Sequence, residues 1–174
     1  MADSTAAKDA FLAVRMNLPK LRVQRLPGTP GALPAVLPVT PNSVTGHGPW
    51  VLWLGPSDWL IYALDGESSD LARLVDAGVR GGDVVVTDVG NSLVMLELAG
   101  PSAVKLLESG CGLDLSGGAV AAGACAQSLF QEIPILLHRP APGDAWRVFV
   151  DRSLSRHLGD SLCSRHEIRH LRSR

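Results

Sequence analysis

Residues 50–64 have the sequence WVLWLGPSDWLIYAL. Two apolar runs, residues 50–54 and 59–64, flank the four residues GPSD at positions 55–58. Glycine, proline, serine and aspartate are the residues that turns favour, so the pattern predicts two strands joined by a tight connection. A hairpin at this point indicates antiparallel pairing.

From residue 50 onward, the predicted order of elements is β-β-α-β-β-α-β-β-β-α. Helices are too few and hairpins too frequent for a doubly wound parallel sheet. The sequence therefore predicts an α+β fold, with helices packed on a mainly antiparallel sheet. The predicted strands after the hairpin are 84–89, 93–98, 124–130, 133–138 and 146–150, and the predicted helices are 68–78, 101–110 and 154–162.

The composition suits a folded chain that binds neither nucleic acid nor a bilayer core. Of 174 residues, 46% are hydrophobic, which is too many for disorder over most of the length. The 16 basic residues are balanced by 17 acidic ones, so a dedicated nucleic-acid binder is excluded. No apolar run approaches the roughly 18 to 20 residues that cross a membrane.

Composition also divides the chain into three parts. Residues 1–49 are predicted to be a flexible leader and an extended Pro-rich arm, residues 50–163 a single α+β domain, and residues 164–174 a basic C-terminal tail. Proline removes backbone donors, so the arm can hold only short extended pieces such as 21–26. Its many apolar side chains favour a strap laid across a partner, and the core is expected to survive removal of residues 1–18.

The three cysteines, Cys111, Cys125 and Cys163, are an odd number and have no close spacing. This pattern favours buried free thiols in a reducing compartment. The first twenty residues carry charges and lack a continuous apolar stretch, so a secretory signal is not predicted. The expected location is the cytoplasm.

Residues 166–170 have the sequence HEIRH and satisfy the motif H-E-x-x-H. On a helix, His166 and His170 would hold zinc and Glu167 would act as a general base, with Cys163 one turn earlier. Only four residues remain after His170 for a third ligand, and the nearby arginines repel a cation. A solvated or partner-contacting basic tail is therefore the favoured interpretation.

Four other polar side chains each favour a structural role over a chemical one. His47 lies between two glycines of a loop, and His138 and Asp88 each end an apolar strand. Ser153 stands near a helix start, where a serine is more often a cap than a nucleophile. The chain also has no glycine-rich nucleotide motif. The residues alone predict no catalytic, cofactor-binding or metal site.

Trp50, Trp53 and Trp59 crowd the hairpin, and Trp50 and Trp53 fall on opposite faces of a regular strand. One face can serve the core, and the other is then an interface with a partner, because large exposed aromatic side chains mark interfaces. The alternative is a hairpin covered on both faces by the helices and the Pro-rich arm. Both interpretations remain open from the sequence.

Several longer strings resemble one known family, the gamma subunit of heterotetrameric sarcosine oxidase. The resemblance covers roughly residues 20–163 and is most specific in the middle of the chain. The strings that carry it are WLGPSDWL at 53–60, TDV at 87–89, LELAGPSA at 96–103, LLESGCGLDL at 106–115 and WRVFVDRS at 146–153.

This family is similar in fold to the tetrahydrofolate-binding aminomethyltransferase of glycine cleavage, so the resemblance implies an α+β domain of that type. It also implies an accessory, scaffolding subunit of a complex that oxidatively demethylates sarcosine to glycine. The partners would be the alpha, beta and delta subunits, and FAD, FMN, NAD, zinc and tetrahydrofolate would lie on them. The folate-holding carboxylates of true aminomethyltransferases have no clear counterparts in this chain.

Two alternatives to this function remain open from the sequence. One is a subunit of a related oxidoreductase that acts on another N-methyl amino acid. The other is an autonomous folate-binding protein of one-carbon transfer.

Overall fold

The chain folds into two units, each with its own β-sheet. The computed structural model describes residues 10–28, 33–79, 83–141, 145–164 and 168–171. Unit 1 contains the described residues of Met1–Met16 and Ser92–Arg174, and unit 2 those of Asn17–Asn91. The chain therefore leaves unit 1 early, completes unit 2 and then returns to unit 1.

The elements follow one another closely along the described residues. None of the helices in this part of the chain combines the length and apolarity needed to span a bilayer. In chain order the elements are β1 (Ala10–Arg15), β2 (Lys20–Arg25), β3 (Val44–Thr45), β4 (Trp50–Gly55), β5 (Asp58–Tyr62), α1 (Ser68–Gly78), β6 (Val84–Asp88), β7 (Leu93–Ala99), α2 (Ala103–Glu108), β8 (Ala124–Phe130), β9 (Ile133–Arg139), β10 (Trp146–Asp151), a single 3-10 turn (Arg152–Leu154), α3 (Ser155–Cys163) and β11 (Ile168–Leu171).

Unit 1 is built on a six-stranded sheet, sheet A, with the strand order β11-β1-β7-β10-β9-β8. Neighbouring strands are antiparallel except β1 and β11, which are parallel. Because side chains alternate along a strand, Trp146, Val148 and Val150 share one face with Leu96 and Leu98 of β7. Helices α2 and α3 pack buried leucines against the same face, which is the core of unit 1.

Unit 2 is built on a five-stranded antiparallel sheet, sheet B, with the order β3-β4-β5-β2-β6. The predicted hairpin is β4–β5, in which Trp53 lies opposite Trp59 and the register shifts before Gly55. The core of the unit includes Trp59 and, from the apolar stripe of α1, Leu71 and Val75. Each unit thus has its own hydrophobic core.

The element order from residue 50 to residue 163 is the one that the sequence predicts, with small shifts at the ends. The α+β class with mainly antiparallel strands is also confirmed. Both were predictable because alternation, helical spacing and turn residues are local signals.

The division of the chain differs from the predicted division into 1–49, 50–163 and 164–174. Strands β1 and β2 lie in the predicted leader and arm, yet both are interior strands of their sheets. Pro19 and Pro27 flank β2 and so bound the strand instead of interrupting it. Because β1 belongs to sheet A, removing residues 1–18 would take a strand out of the core of unit 1, contrary to the expectation from the sequence.

Residues 33–49 of the Pro-rich arm pack within unit 2. Leu37 is 3% exposed and belongs to the core. Two backbone carbonyls of the segment accept side-chain hydrogen bonds, Val36 O from Thr45 Oγ1 at 2.7 Å and Pro38 O from Trp59 Nε1 at 2.8 Å. In these residues the arm covers its own unit and does not extend away as a strap.

Candidate functional site

The hairpin tryptophans occupy three different environments. Trp59 is fully buried, and its indole N–H donates a hydrogen bond to the Pro38 carbonyl. Its side chain is therefore not available to contact a partner subunit. Trp53, on the same face, is half-buried against the core of unit 2. Trp50 is half-buried on the opposite face, where its ring stacks on Tyr62 at 5.1 Å between centroids. The opposite facing of Trp50 and Trp53 is as the sequence predicts.

The H-E-x-x-H sequence is only partly within the described residues. His166 and Glu167 lie outside them, while His170 lies in β11, whose backbone pairs with β1. A zinc site of this motif needs both histidines on one helix face, and β11 gives His170 an extended backbone instead. Across the described ranges, no group of three or more His, Cys, Asp and Glu side chains is placed to hold a metal.

Lys20, whose side chain is fully buried, stands at the start of β2. Its Nζ donates to Leu18 O at 2.9 Å and to Gly90 O at 3.3 Å. Asp88 accepts from the Gly90 N–H at 2.8 Å and lines a cavity of about 320 Å³ together with Asn91. Asp88 therefore closes the turn after β6, which is the strand-end role that the sequence favours. Lys20 ties the same turn to β2.

A second cavity, of about 250 Å³, lies in unit 1 beside Gly100 and Val104. Arg139 lines it, with its guanidinium 5.4 Å from the ring centroid of Trp146, and donates to Val120 O at 3.2 Å. A guanidinium over an indole face is a favourable cation–π pair. The cavity brings one cation to an aromatic wall, without an acid, a base or a nucleophile among its lining residues.

His138, at the end of β9, is buried and lies opposite Arg147 of β10. Burial, and next the positive charge of Arg147, lower the pKa of His138 to about 3. Its imidazole is therefore neutral at physiological pH. A general base works best with a pKa near the working pH, so His138 does not fit that role.

The serines at the start of α3 are occupied by local hydrogen bonds. Asp151 accepts from both the backbone N–H and the hydroxyl of Ser153, and these bonds lower the pKa of Asp151. The hydroxyl of Ser155 donates to Arg152 O at 2.7 Å. Asp151 thus caps the 3-10 turn, and both serine hydroxyls donate to nearby oxygens and not to a histidine. His47 is exposed in the connection between β3 and β4.

The polar residues that sequence reasoning missed are Lys20, Arg139 and Arg147. Lys20 and Arg147 are buried, whereas a lysine or arginine in a sequence is ordinarily read as exposed. Arg147 alternates with the core residues Trp146 and Val148, so its place on the second face of β10 was foreseeable. Its burial was not, because nothing in the local pattern distinguishes a buried arginine from a solvated one.

The fold of the described chain is shared with solved structures. The crystal structure of glycine cleavage system aminomethyltransferase T from Bartonella henselae matches 95% of this chain and 48% of its own, with a TM-score of 0.67 at 17% identity. The fold is therefore of the aminomethyltransferase type. A chain of heterotetrameric sarcosine oxidase from Corynebacterium sp. U-96, in complex with pyrrole 2-carboxylate, matches with a TM-score of 0.74 at 28% identity, over 89% of this chain and 82% of its own.

Sequence comparison gives the particular family. Residues 29–162 match the sarcosine oxidase, gamma subunit family, and the chain belongs to it. Sarcosine oxidase subunit gamma of an Arthrobacter species is 32% identical over 80% of this chain and 71% of its own length. The same subunit of Corynebacterium sp. strain P-1 is 30% identical over 90% and 80%, respectively. The resemblance carried by the sequence strings is confirmed.

Proposed function

We propose that this chain is the gamma subunit of a heterotetrameric sarcosine oxidase and works there as a non-catalytic assembly component. The observation that carries the proposal is the family match, which runs through both units from residue 29 to residue 162. A match of that extent includes residues on the surfaces of both units as well as in their cores. An assembly subunit contacts its partners through such surface residues.

The complex would demethylate sarcosine to glycine. Two electrons leave the N-methyl carbon and pass to oxygen, and the one-carbon unit passes to tetrahydrofolate. FAD, FMN, NAD, zinc and tetrahydrofolate would be held by the alpha, beta and delta subunits. No step of this reaction is assigned to a residue of this chain.

The donor groups of the chain support an accessory role. Zinc prefers clustered Cys, His and carboxylate ligands, and the described residues contain no such cluster. The cavity beside Asp88 and the cavity beside Gly100, of about 320 and 250 Å³, lie at or below the lower end of the range for small-molecule sites. The histidine beside Arg147 is held neutral, and the hydroxyls of Ser153 and Ser155 donate to neighbouring oxygens of the chain.

A cytoplasmic location belongs to the same proposal. Cys111, Cys125 and Cys163 are free thiols, and Cys111 Sγ lies 3.2 Å from the hydroxyl of Ser128. Thiols persist where the surroundings are reducing.

Purification of the chain alone and with its partners tests the proposal. The isolated chain is expected to show no flavin absorbance and no sarcosine turnover, and co-expression with the alpha, beta and delta subunits to give a stable flavin-containing complex. Flavin or turnover in the isolated chain would contradict the accessory role. Micromolar binding of tetrahydrofolate to the isolated chain, about −8 kcal/mol, would favour an autonomous folate protein instead.

We include Trp50 and Trp53 in the proposed contact surface, because both residues are only half-buried. Replacing Trp50 by alanine is expected to cost about 2 kcal/mol of association with the partner subunits. Trp50→Phe is the matched control, since a phenylalanine ring can keep the stacking on Tyr62. If the Trp50→Ala variant assembles as well as the wild-type chain, Trp50 is not part of the proposed contact surface.

A further inference from the structure

Strand β6 (Val84–Asp88) is an edge strand of sheet B. Among the described residues it pairs with β2 on one side and with no strand on the other. Two backbone bonds fix its register, from Val89 N to Lys20 O and from Leu26 N to Asp83 O, each at 2.9 Å. In an antiparallel ladder, hydrogen-bonded and non-hydrogen-bonded pairs alternate. Along β6, the backbone N–H and C=O groups of one residue therefore bond to β2, and those of the next residue point away from β2.

Val85 and Thr87 occupy the hydrogen-bonded positions, opposite Gln24 and Arg22 of β2. The N–H and C=O groups of Val84, Val86 and Asp88 consequently point away from β2. No backbone partner for these outward groups is found in the described part of the chain. A row of unpaired donors and acceptors with this spacing is a template for one more strand.

Within β6 the edge carries few of the features that usually prevent such pairing, and its single charged residue, Asp88, stands at the end of the strand. No lysine, proline or bulge occurs within β6. Val84 and Val86 pack against the core of unit 2 and hold the strand in place, while Val85 is 44% exposed beside the open edge. The opposite edge of sheet B is protected by its shortness, since β3 has two residues.

We propose that the open edge of β6 receives an extended segment of a partner subunit, which adds a sixth strand to sheet B. The proposal rests on the proposed function, which supplies the partner. Backbone pairing gives such a contact its register, and the exposed side chains select the sequence that fits. Val85 and Thr87 favour β-branched or aromatic residues at the centre of the added strand.

The charges at the ends of β6 indicate the composition of the added segment. Asp83 and Asp88 are exposed at the two ends of the strand, and β6 itself carries no basic residue. An added segment with lysine or arginine near its ends complements these carboxylates. A second copy of β6 would instead bring acidic ends against acidic ends, which is unfavourable in a sheet. The edge therefore fits a basic, extended segment of a different chain.

Hydrogen exchange of single amides tests the pairing directly. In the isolated chain, the amides of Val84, Val86 and Asp88 are expected to exchange much faster than those of Val85 and Thr87, which bond to β2. In the complex with the alpha, beta and delta subunits, the three outward amides are expected to slow to the rates of their neighbours. Assembly with unchanged exchange at these amides overturns the inference and leaves the proposed function standing.

A charge on the edge supplies a second test. Val85→Lys is expected to weaken assembly by about tenfold or more, while the thermal melt of the isolated chain stays unchanged because the side chain is exposed. Val39→Lys is the matched control, since Val39 is 70% exposed and lies outside every strand. Equal assembly of the two variants overturns the inference. Failure of the wild-type chain to assemble overturns the proposed function and the inference together.

Discussion

At the scale of single residues, Gly110 approaches a buried aromatic ring too closely for any other side chain. A Cβ at Gly110 would lie 2.6 Å from Cζ of Phe130, which is fully buried in the core of unit 1. A rigid ring in a packed core cannot retreat without disturbing its neighbours. Gly110, which follows the end of α2, thus serves the packing of the core.

Gly110→Ala is expected to lower the free energy of unfolding by about 1–3 kcal/mol, the usual cost of overpacking. Gly112→Ala provides the control, because a Cβ there meets nothing within 4 Å. Urea denaturation of the two variants checks the prediction. Equal midpoints would show that Phe130 can move aside.

His138 gives the protein a specific dependence on pH. Burial and the charge of Arg147 lower its pKa to about 3 in the folded state, whereas the unfolded chain has the ordinary value of about 6.5. Between these values the unfolded state binds the additional proton. Stability from this group is therefore present above pH 6.5 and is lost as the pH falls toward 3.

Within that window His138 is expected to change the free energy of unfolding by up to about 1.4 kcal/mol per pH unit. His138→Gln removes the titrating group, so the variant should lose less stability than the wild-type chain between pH 6.5 and 4.5. Urea midpoints at several pH values measure the difference. Parallel pH profiles for the two proteins would mean that His138 protonates freely in the fold.

At the scale of elements, the Pro-rich segment behaves as part of unit 2. Leu37→Ala is expected to cost about 2–5 kcal/mol, because Leu37 lies in the core. Val39→Ala, two residues away and 70% exposed, is expected to change stability by about 0.5 kcal/mol or less. The contrast is measured by urea denaturation of the isolated chain. Similar small losses of stability for both variants would contradict a core role for Leu37 and would favour the strap laid across a partner.

The elements predicted correctly are those with strong local signals. In β10 the alternation of Trp146, Val148 and Val150 is complete, and in the β4–β5 hairpin the turn residues stand between two apolar runs. Strand β1 carries a weaker signal, and its partner β7 lies far away in the sequence. Sheet membership depends on such distant pairs, so the two-unit division could not be predicted from local patterns.

The candidate site was predictable to a smaller extent than the fold. Trp50 and Trp53 could be placed on opposite faces from alternation alone. Trp59 is buried, and its indole N–H donates to the carbonyl of Pro38. Pro38 lies in a proline-rich segment with no regular periodicity, so this contact could not be predicted from local patterns. The open edge of β6 follows from sheet order, which the sequence does not reveal.

At the scale of the whole molecule, the N-terminal strand is required for the fold of unit 1. Deletion of residues 1–16 removes β1, which pairs with both β7 and β11. We expect the truncated chain to lose the thermal transition of unit 1, as measured by circular dichroism. A melt unchanged from that of the full chain would contradict the role of β1. Deletion of residues 1–9 is the control, because it leaves β1 complete.

The path of the chain between the units has a consequence for its synthesis. Unit 2 is contiguous and leaves the ribosome as one piece, so its sheet can close as soon as residue 91 has emerged. Strand β1 emerges before all of unit 2, yet its antiparallel partner β7 begins only at Leu93. Strand β1 must therefore wait for this partner until all of unit 2 has been translated. Nascent chains that stop after residue 91 would carry a folded unit 2 and an unpaired β1.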